Sequence, residues 1–536
     1  MQSTDVTRFF VTDENVPPRF RPGNTPYSDS VLIAGELFSA APDTRKVFSP
    51  ILLRTESGLA DRALFNVPAV DSSVAMQALQ AARDCYGFGN GTWPQKSPAQ
   101  RAAAVSRMIG ALESQKARIA LAEMWEIAKP YSSCISEIDR TIAYVEATLT
   151  EYLQQDGRCD DCERISGTTV INRRAPLGVV LVMGPYNVPV FETLCTALPA
   201  LLMGNTVVIK MPRMGGGALS FLLPAFAEHF PPGAVNIIDG VPENVVTPMM
   251  TSGLVDVLVF IGSGRVTTML RQLHPSPGRL RKVFGLEAKN PAVVLADADL
   301  DLAAEQIIRG AFAFNGQRCT GIKRLFVETS VHGALLERLQ KRTDALKIGM
   351  PWEDGVQITP LADPRKPSCL AELLEDALLH GAHIINGGGQ NSGSLFVPAL
   401  VDGVTDKMRL AQVEQFGPVL PISAFSDEME MVASIRQSDF GQQISLFGND
   451  PDRLGRTIDF LMPQTSRINL NTYCHRGPDV LPFTGRKDSA ESVVSITESL
   501  RTFSTCATVT SSEKQKELLD AILKQHRSRF LNPEDD

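Results

Sequence analysis

No stretch of the chain is apolar for long enough to span a bilayer; the longest apolar runs, 177–183 and 255–261, have the length of buried strands. The first twenty residues lack the basic-then-apolar layout of a secretory signal, and the final NPEDD is not an address tag, so a cytoplasmic protein is expected. An excess of basic charge is missing too. Lys plus Arg is 52 against 60 for Asp plus Glu, a net charge of -8. That balance repels a long polyanion and argues against nucleic acid, although a few local arginines could still hold a small phosphorylated ligand. The cysteines do not form a disulfide framework. There are nine, an odd and scattered set, which suggests reduced thiols. Cys159 and Cys162 form a CxxC in the acidic stretch CDDCE without a second ligand pair. A solvated loop is the better reading there, a metal or redox role the lesser one, and no metal is expected. No internal repeat is evident.

What is present is length and alternation. A chain of 536 residues is too long for one core, so two or more domains are expected. Residues 1–30 are rich in Pro, Asp, Ser and Thr and read as an extended arm. Helical periodicity covers 71–85 and 97–153 with few breakers. From about 175, apolar strands (LGVVLVM, TVVIKM, AVNIID, VDVLVFIG) alternate with helical segments, among them FETLCTALPALLMG and the glycine-led GGGALSFLLPAFAEHF. A second alternating run begins with PAVVLA, a helix and KRLFVE, and continues through VLPISAF, ISLFG and SRINLN. Two α/β domains with parallel sheets and a cleft between them fit this pattern, with ligands expected outside the carboxyl ends of the strands. Residues 511–536 read as a charged helical tail.

The segment FAFNGQRCTGIKR places Cys319 on a loop between a helix and a strand. A cysteine beside a cation such as Arg318 ionises more readily, and the thiolate is the nucleophile. An inert buried cysteine is the bland alternative; the polar neighbours Gln317, Arg318 and Thr320 argue against it. A second local signal is Gly262-Ser263-Gly264, which follows a strand, opens a helix and nearly matches G-x-G-x-x-G, with Thr267 at the last glycine. Free N–H groups at such a helix start suit a pyrophosphate, though an ordinary strand–helix turn would look the same.

Seven separated motifs add a resemblance: PLGVVLVMGPYNVP (176–189), GNTVVIK (204–210), FIGS (260–263), KNPAVVLADADLDLA (289–303), NGQRC (315–319), EQFGPV (414–419) and PFTGRKDS (482–489). In this order they resemble the aldehyde dehydrogenase superfamily over roughly residues 31–510. The resemblance implies an NAD(P)-binding domain (31–141 and 166–290), a catalytic domain (291–489) and a small β oligomerisation arm (142–165 and 490–510) that would give a homodimer or homotetramer. It implies that Cys319 attacks an aldehyde carbon and that a thioester forms after hydride transfer to nicotinamide. Asn187 would supply the oxyanion hole with the Cys319 N–H. Lys210, Gly262, Ser263, Leu286, Glu414 and Phe416 would contact the cofactor. Arg213 stands where NAD-preferring relatives often carry a glutamate, so NADP is favoured, with NAD possible.

The general base departs from the pattern. Where the family reads E-L-G-G-K, this chain has Gly285-Leu286-Glu287-Ala288-Lys289. A shift of two keeps one face of an extended segment, so Glu287 is the candidate relocated base, a structural pair with Lys289 or an arginine being the alternative. GQRCTGIKR and RGPDVLPFTGRKDS look closest to the NADP-dependent, non-phosphorylating glyceraldehyde-3-phosphate dehydrogenases, and Arg140, Arg318 and Arg476 match their phosphate-holding arginines. Val188 stands where that subgroup often has tyrosine, and 489–492 lack its glycines. The expected reaction is therefore glyceraldehyde 3-phosphate to 3-phosphoglycerate. Another aldehyde or semialdehyde dehydrogenase, CoA-acylating forms included, and a silent scaffold of the same fold are the alternatives.

Overall fold

The computed structural model describes residues 5–22, 30–39, 44–158, 163–525, 528 and 530–531. Cys159 and Cys162 lie outside them.

Two mostly parallel sheets form the body. The first orders its strands Glu36–Phe38, Val31–Ile33, Val235–Ile238, Thr206–Lys210, Val179–Met183, Val257–Ile261, Arg281–Gly285 and Ala490–Glu491. The five strands from Val235–Ile238 to Arg281–Gly285 are parallel, and the remaining edge strands run antiparallel. Continuous β-branched runs make such strands because both faces are covered. Val180 and Val182 pack into one helical layer, while Val179, Leu181 and Met183 pack into the other. Strand order reverses between Val179–Met183 and Val257–Ile261, which opens a crevice at their carboxyl ends. Asn187 follows the first of these strands and Ser263 the second.

The second sheet runs His383–Ile384, Ala399–Asp402, Val419–Phe425, Arg324–Glu328, Pro291–Val294, Gln443–Phe447 and Arg467–Leu470, parallel apart from the first strand. A link of only five residues, 286–290, joins the sheets. It brings the amino ends of the second sheet up to the carboxyl ends of the first. The cleft is therefore asymmetric, whereas the strand pattern alone suggested carboxyl ends throughout.

Several elements differ from expectation. The helical stretch 97–153 is two helices, Pro98–Ile127 and Tyr131–Arg158. Ser97 and Gln100 cap the first reciprocally, and Ala128, in the left-handed region, with Pro130 ends it. The second helix passes position 142 unbroken, so residues 142–158, expected in the small β arm, are helical. A three-stranded sheet is formed by Glu163–Ile165, Thr168–Pro176 and Ser504–Ser512, and 496–502 is helical. The glycine-led helix is likewise two, Gly217–Ser220 and Leu223–His229, separated ahead of Pro224. Residues 5–22 are three 3-10 turns that bury Val6, Phe10, Val16 and Phe20, not an extended arm. Among the described residues, no helix is long and apolar enough to cross a membrane.

Candidate active site

The helix Leu300–Phe312, capped by Asp299, runs into a strained turn. Phe314, Asn315 and Gly316 all have positive φ, at 49°, 56° and 71°. Such backbone persists only where neighbours fix it. Asn315 is held by Thr359 and Pro360, at 2.9 Å from the Thr359 N–H to its Oδ1. A Cβ at Gly316 would lie 2.7 Å from the carbonyl oxygens of Ala311 and Gly417, so only glycine fits. The turn delivers Cys319, partly exposed, to the cleft.

Two residues from other elements set the Cys319 backbone. Asn290 Nδ2 donates to the Cys319 carbonyl at 2.8 Å. Lys323, only 2% exposed, donates to the carbonyls of Arg318 (2.7 Å) and Cys319 (2.8 Å) and pairs with Glu414 at 2.9 Å. Burial pushes the Cys319 thiol above its ordinary range. Glu192 and Glu414 reinforce that, and Lys323 and Arg476 oppose it. The expected cation effect is thus present, but burial outweighs it, and Arg318 is not its main source. Nothing in the motifs sets Lys323 apart; a lysine four residues beyond a candidate nucleophile was the available signal.

Asn187, 6% exposed, donates from Nδ2 to the Gln317 carbonyl at 2.8 Å, which ties it to the cysteine loop. Its own carbonyl accepts from Lys129 Nζ at 3.4 Å. Lys129 lies buried between Glu123 and Glu137. Glu137 Oε1 accepts the Val190 and Phe191 N–H groups at 3.0 and 2.9 Å, fixing the start of the helix Pro189–Leu202. Burial and the neighbouring Glu137 push Glu123 well up, whereas Lys129 holds Glu137 down against its own burial. The break at Ala128–Pro130 is what turns Lys129 toward Asn187.

Cys319 also borders a cavity of about 30 Å³ whose walls include Glu192, Gly285, Leu286, Gln442 and Arg476. Glu287 is turned elsewhere. Its Oε2 accepts the Gly264 N–H at 3.0 Å, at the start of the helix Gly264–Leu273. The reason is physical: the strand Arg281–Gly285 ends at Gly285, so strand alternation no longer carries residue 287 to the same face. Glu287 is therefore placed with the phosphate-type helix start and not with the thiol. Leu286 is buried and faces the cavity.

On the cofactor side, Lys210 Nζ donates to the Met211 carbonyl at 2.8 Å and lies 3.5 Å from Asp239. Arg45, from the ribbon Thr44–Thr55, reaches the same Asp239 at 2.8 Å. Burial lowers the Lys210 pKa; Asp239 opposes this, while Arg45 and exposed Arg213 add to the lowering. Lys210 and Arg45 thus share one carboxylate, with the Arg213 charge close enough to act on Lys210, a surplus of cations that suits a phosphate. Phe416, at φ 44°, sets its ring edge-on to Tyr186 with 6.1 Å between centroids. Glu414 accepts the Ala288 N–H at 3.2 Å. The carboxylate already on the Gly264 N–H shows that this helix start accepts an anion.

The three arginines do not converge as free cations. Arg140 makes a two-pronged pair with Asp479 (2.9 and 2.6 Å). Arg476, 8% exposed, pairs with Glu192 and stands 3.8 Å from Asp479, and its Nη2 has no hydrogen-bond partner among the described residues. Although burial works against its charge, Glu192 holds Arg476 above even the usual guanidinium range. Arg318 donates to the carbonyls of Arg309 and Gly310. Neither Glu192 nor Asp479 was anticipated.

Residues 54–509 match the aldehyde dehydrogenase family. The chain is 32% identical over 418 residues to an NADP-dependent glyceraldehyde-3-phosphate dehydrogenase of Streptococcus equinus, covering 77% of this chain and 86% of that one. The Bacillus halodurans enzyme of the same name, solved with NADP, superposes at TM-score 0.81 with 32% identity, covering 90% of this chain and 99% of the other. A succinate-semialdehyde dehydrogenase from Burkholderia pseudomallei also superposes at 0.81, at 25% identity, covering 90% and 98%.

Proposed function

Because the chain belongs to the aldehyde dehydrogenase family, we propose that its Cys319 thiolate oxidises an aldehyde to a carboxylate through a thioester, with NADP as electron acceptor. The observation that carries this is the partly exposed thiol on a strained loop to which the Asn187 amide is bound. The thiolate attacks the carbonyl carbon, and a C–S bond forms. The carbonyl oxygen becomes an oxyanion facing the free N–H of Asn187 Nδ2. When bound, the nicotinamide accepts the hydride that leaves that carbon. Water then cleaves the thioester and returns the thiolate. Lys210, Arg213 and Arg45 would hold the adenosine end, Gly262, Ser263 and Gly264 the pyrophosphate, and Glu414 and Phe416 the nicotinamide side. Glu287 would have to leave the Gly264 N–H as the phosphates arrive. The sheet that carries Ser504–Ser512 along its edge is the proposed pairing surface for a homodimer or homotetramer.

The cofactor reading has a direct test. Arg213→Glu puts a carboxylate where the 2′-phosphate would lie. The kcat/KM ratio of NADP to NAD should fall by about tenfold or more, each tenfold being ~1.4 kcal/mol. An unchanged ratio would remove Arg213 from the argument.

For the substrate, the reading is glyceraldehyde 3-phosphate. The names of the relatives and the Arg476 Nη2, unpartnered among the described residues, support it. A dianion would draw Arg140 away from Asp479 and take the Arg476 Nη2 while Nη1 stays on Glu192, which reduces what Arg140 contributes. Arg140→Ala should raise KM about tenfold for the phosphorylated aldehyde, consistent with a partly exchanged charge-assisted hydrogen bond. KM for an unphosphorylated aldehyde of equal length should hardly change. Because both arginines already carry acidic partners, a semialdehyde is the second reading: its single carboxylate needs only the free Nη2. Equal KM changes for both aldehydes in Arg140→Ala would favour the semialdehyde.

A further inference from the structure

The resemblance puts a basic carboxylate at position 285, and the chain has glycine there. A Cβ built on Gly285 would meet only Ile261, at 3.6 and 3.7 Å, so the space a side chain would occupy is open. It is part of the cavity of about 30 Å³ that reaches Cys319. That is too small for a substrate but enough for a water, which needs at least ~10–15 Å³ and two to four polar partners. The walls provide them in Glu192, Gln442, Arg476 and Thr484. Glu192 is the only carboxylate among the described residues of that wall. It lies in the first turn of the helix Pro189–Leu202, five residues after Asn187, and is 9% exposed. Its partner Arg476 crosses to it from the far side of the cavity. Two other charged groups near the thiol, Lys323 and Glu414, are paired with each other.

We propose that Glu192 is the general base for thioester hydrolysis, acting on a water held between it and Cys319 in the chamber left open by Gly285. The water oxygen forms a bond to the thioester carbon while its proton passes to the Glu192 carboxylate. The C–S bond then breaks, the pair stays on sulfur as the Cys319 thiolate, and Glu192 gives its proton to solvent. Arg476 acts on this step by position: it holds the carboxylate against the chamber. The charge of Glu192 also opposes ionisation of the thiol. That cost is the expected one for placing a base beside a nucleophile. The absence of the usual glutamate then implies a relocated hydrolysis, not transfer of the acyl group to CoA. The assignment rests on the thioester reading above.

The two are separable by rapid-mixing kinetics with NADP and a reactive aldehyde. Glu192→Gln keeps the size of the side chain and an acceptor for Arg476. It should give a burst approaching one NADPH per active site, followed by turnover slowed about 100-fold, within the usual range for a lost general base. Intact-protein mass should rise by the acyl group on Cys319. Hydroxylamine, which attacks thioesters without a base, should restore multiple turnovers. The double variant Glu192→Gln, Gly285→Glu should recover at least tenfold of the loss, because position 285 has room. Wild-type turnover by Glu192→Gln, or equal loss of burst and steady state, would overturn the assignment while leaving the thioester reading intact. An absence of NADPH formation by the wild-type protein would overturn both.

Discussion

Cys319→Ser is expected to lower kcat/KM by about 10⁴-fold or more, with NADP binding and the folded state retained. A serine hydroxyl is not ionised at neutral pH, and among the described residues no side chain is hydrogen-bonded to the residue 319 side chain to take its proton directly, the Glu192 carboxylate being paired with Arg476. Among the described residues the other thiols offer no substitute. Cys195 and Cys474 are fully buried, and burial pushes Cys195 well above the thiol range and Cys474 to about 11. Cys369 and Cys506 are exposed away from the cavity. The wild-type pH profile gives an independent sign. Burial, Glu192 and Glu414 raise the Cys319 pKa above its ordinary value, so at neutral pH the reactive thiolate is a minority species. Its fraction grows as pH rises toward that pKa. The logarithm of kcat/KM should therefore climb with near-unit slope over about pH 6–8, the region below a thiol pKa. The serine variant should lose that slope along with its rate. Comparable rates in the two proteins, measured by NADPH absorbance, would end the thioester mechanism.

Most of what positions this thiol could be read along the chain, and the failures share a cause. Strands such as Val179–Met183 and Val257–Ile261 were legible because a strand covered on both faces is a continuous apolar run. The cysteine loop was legible because its glycines and polar residues are local. Glu192 was not. It sits inside a helix in which every residue is buried, and nothing nearby in sequence reveals that Arg476, 284 positions on, closes over it. Arg45 was missed for the same reason, as its partner Asp239 is 194 positions away. Glu287 was misplaced by carrying strand alternation two residues past the end of a strand. The two acidic partners, half-buried Asp479 and buried Glu192, likewise change what the arginines are free to do. Single arginines in a sequence look available until the acids they face are known.

Asn187→Ala is expected to cost about 10²–10³ in kcat with little change in KM, equivalent to roughly 3–4 kcal/mol for one oxyanion donor. The size follows from preorganisation. One Nδ2 hydrogen is spent on the Gln317 carbonyl at 2.8 Å, which aims the amide along the cysteine loop before substrate arrives. Lys129 steadies the Asn187 carbonyl, and Glu137 caps the helix that follows. No reorganisation is then needed as negative charge develops on the substrate oxygen. Alanine removes the donor and strands the Gln317 carbonyl, so the loop loses an anchor as well. Asn187→Asp should be worse still, because a carboxylate would face both that carbonyl and the developing oxyanion. The kinetic pattern separates this residue from Glu192. Attack by the thiolate and attack by water both pass through a tetrahedral oxyanion, so Asn187→Ala should slow the NADPH burst and the steady state together. Loss of the base should spare the burst. A variant with normal kcat and a raised KM would mean that the Asn187 amide binds the ground-state aldehyde, and the oxyanion role would fall.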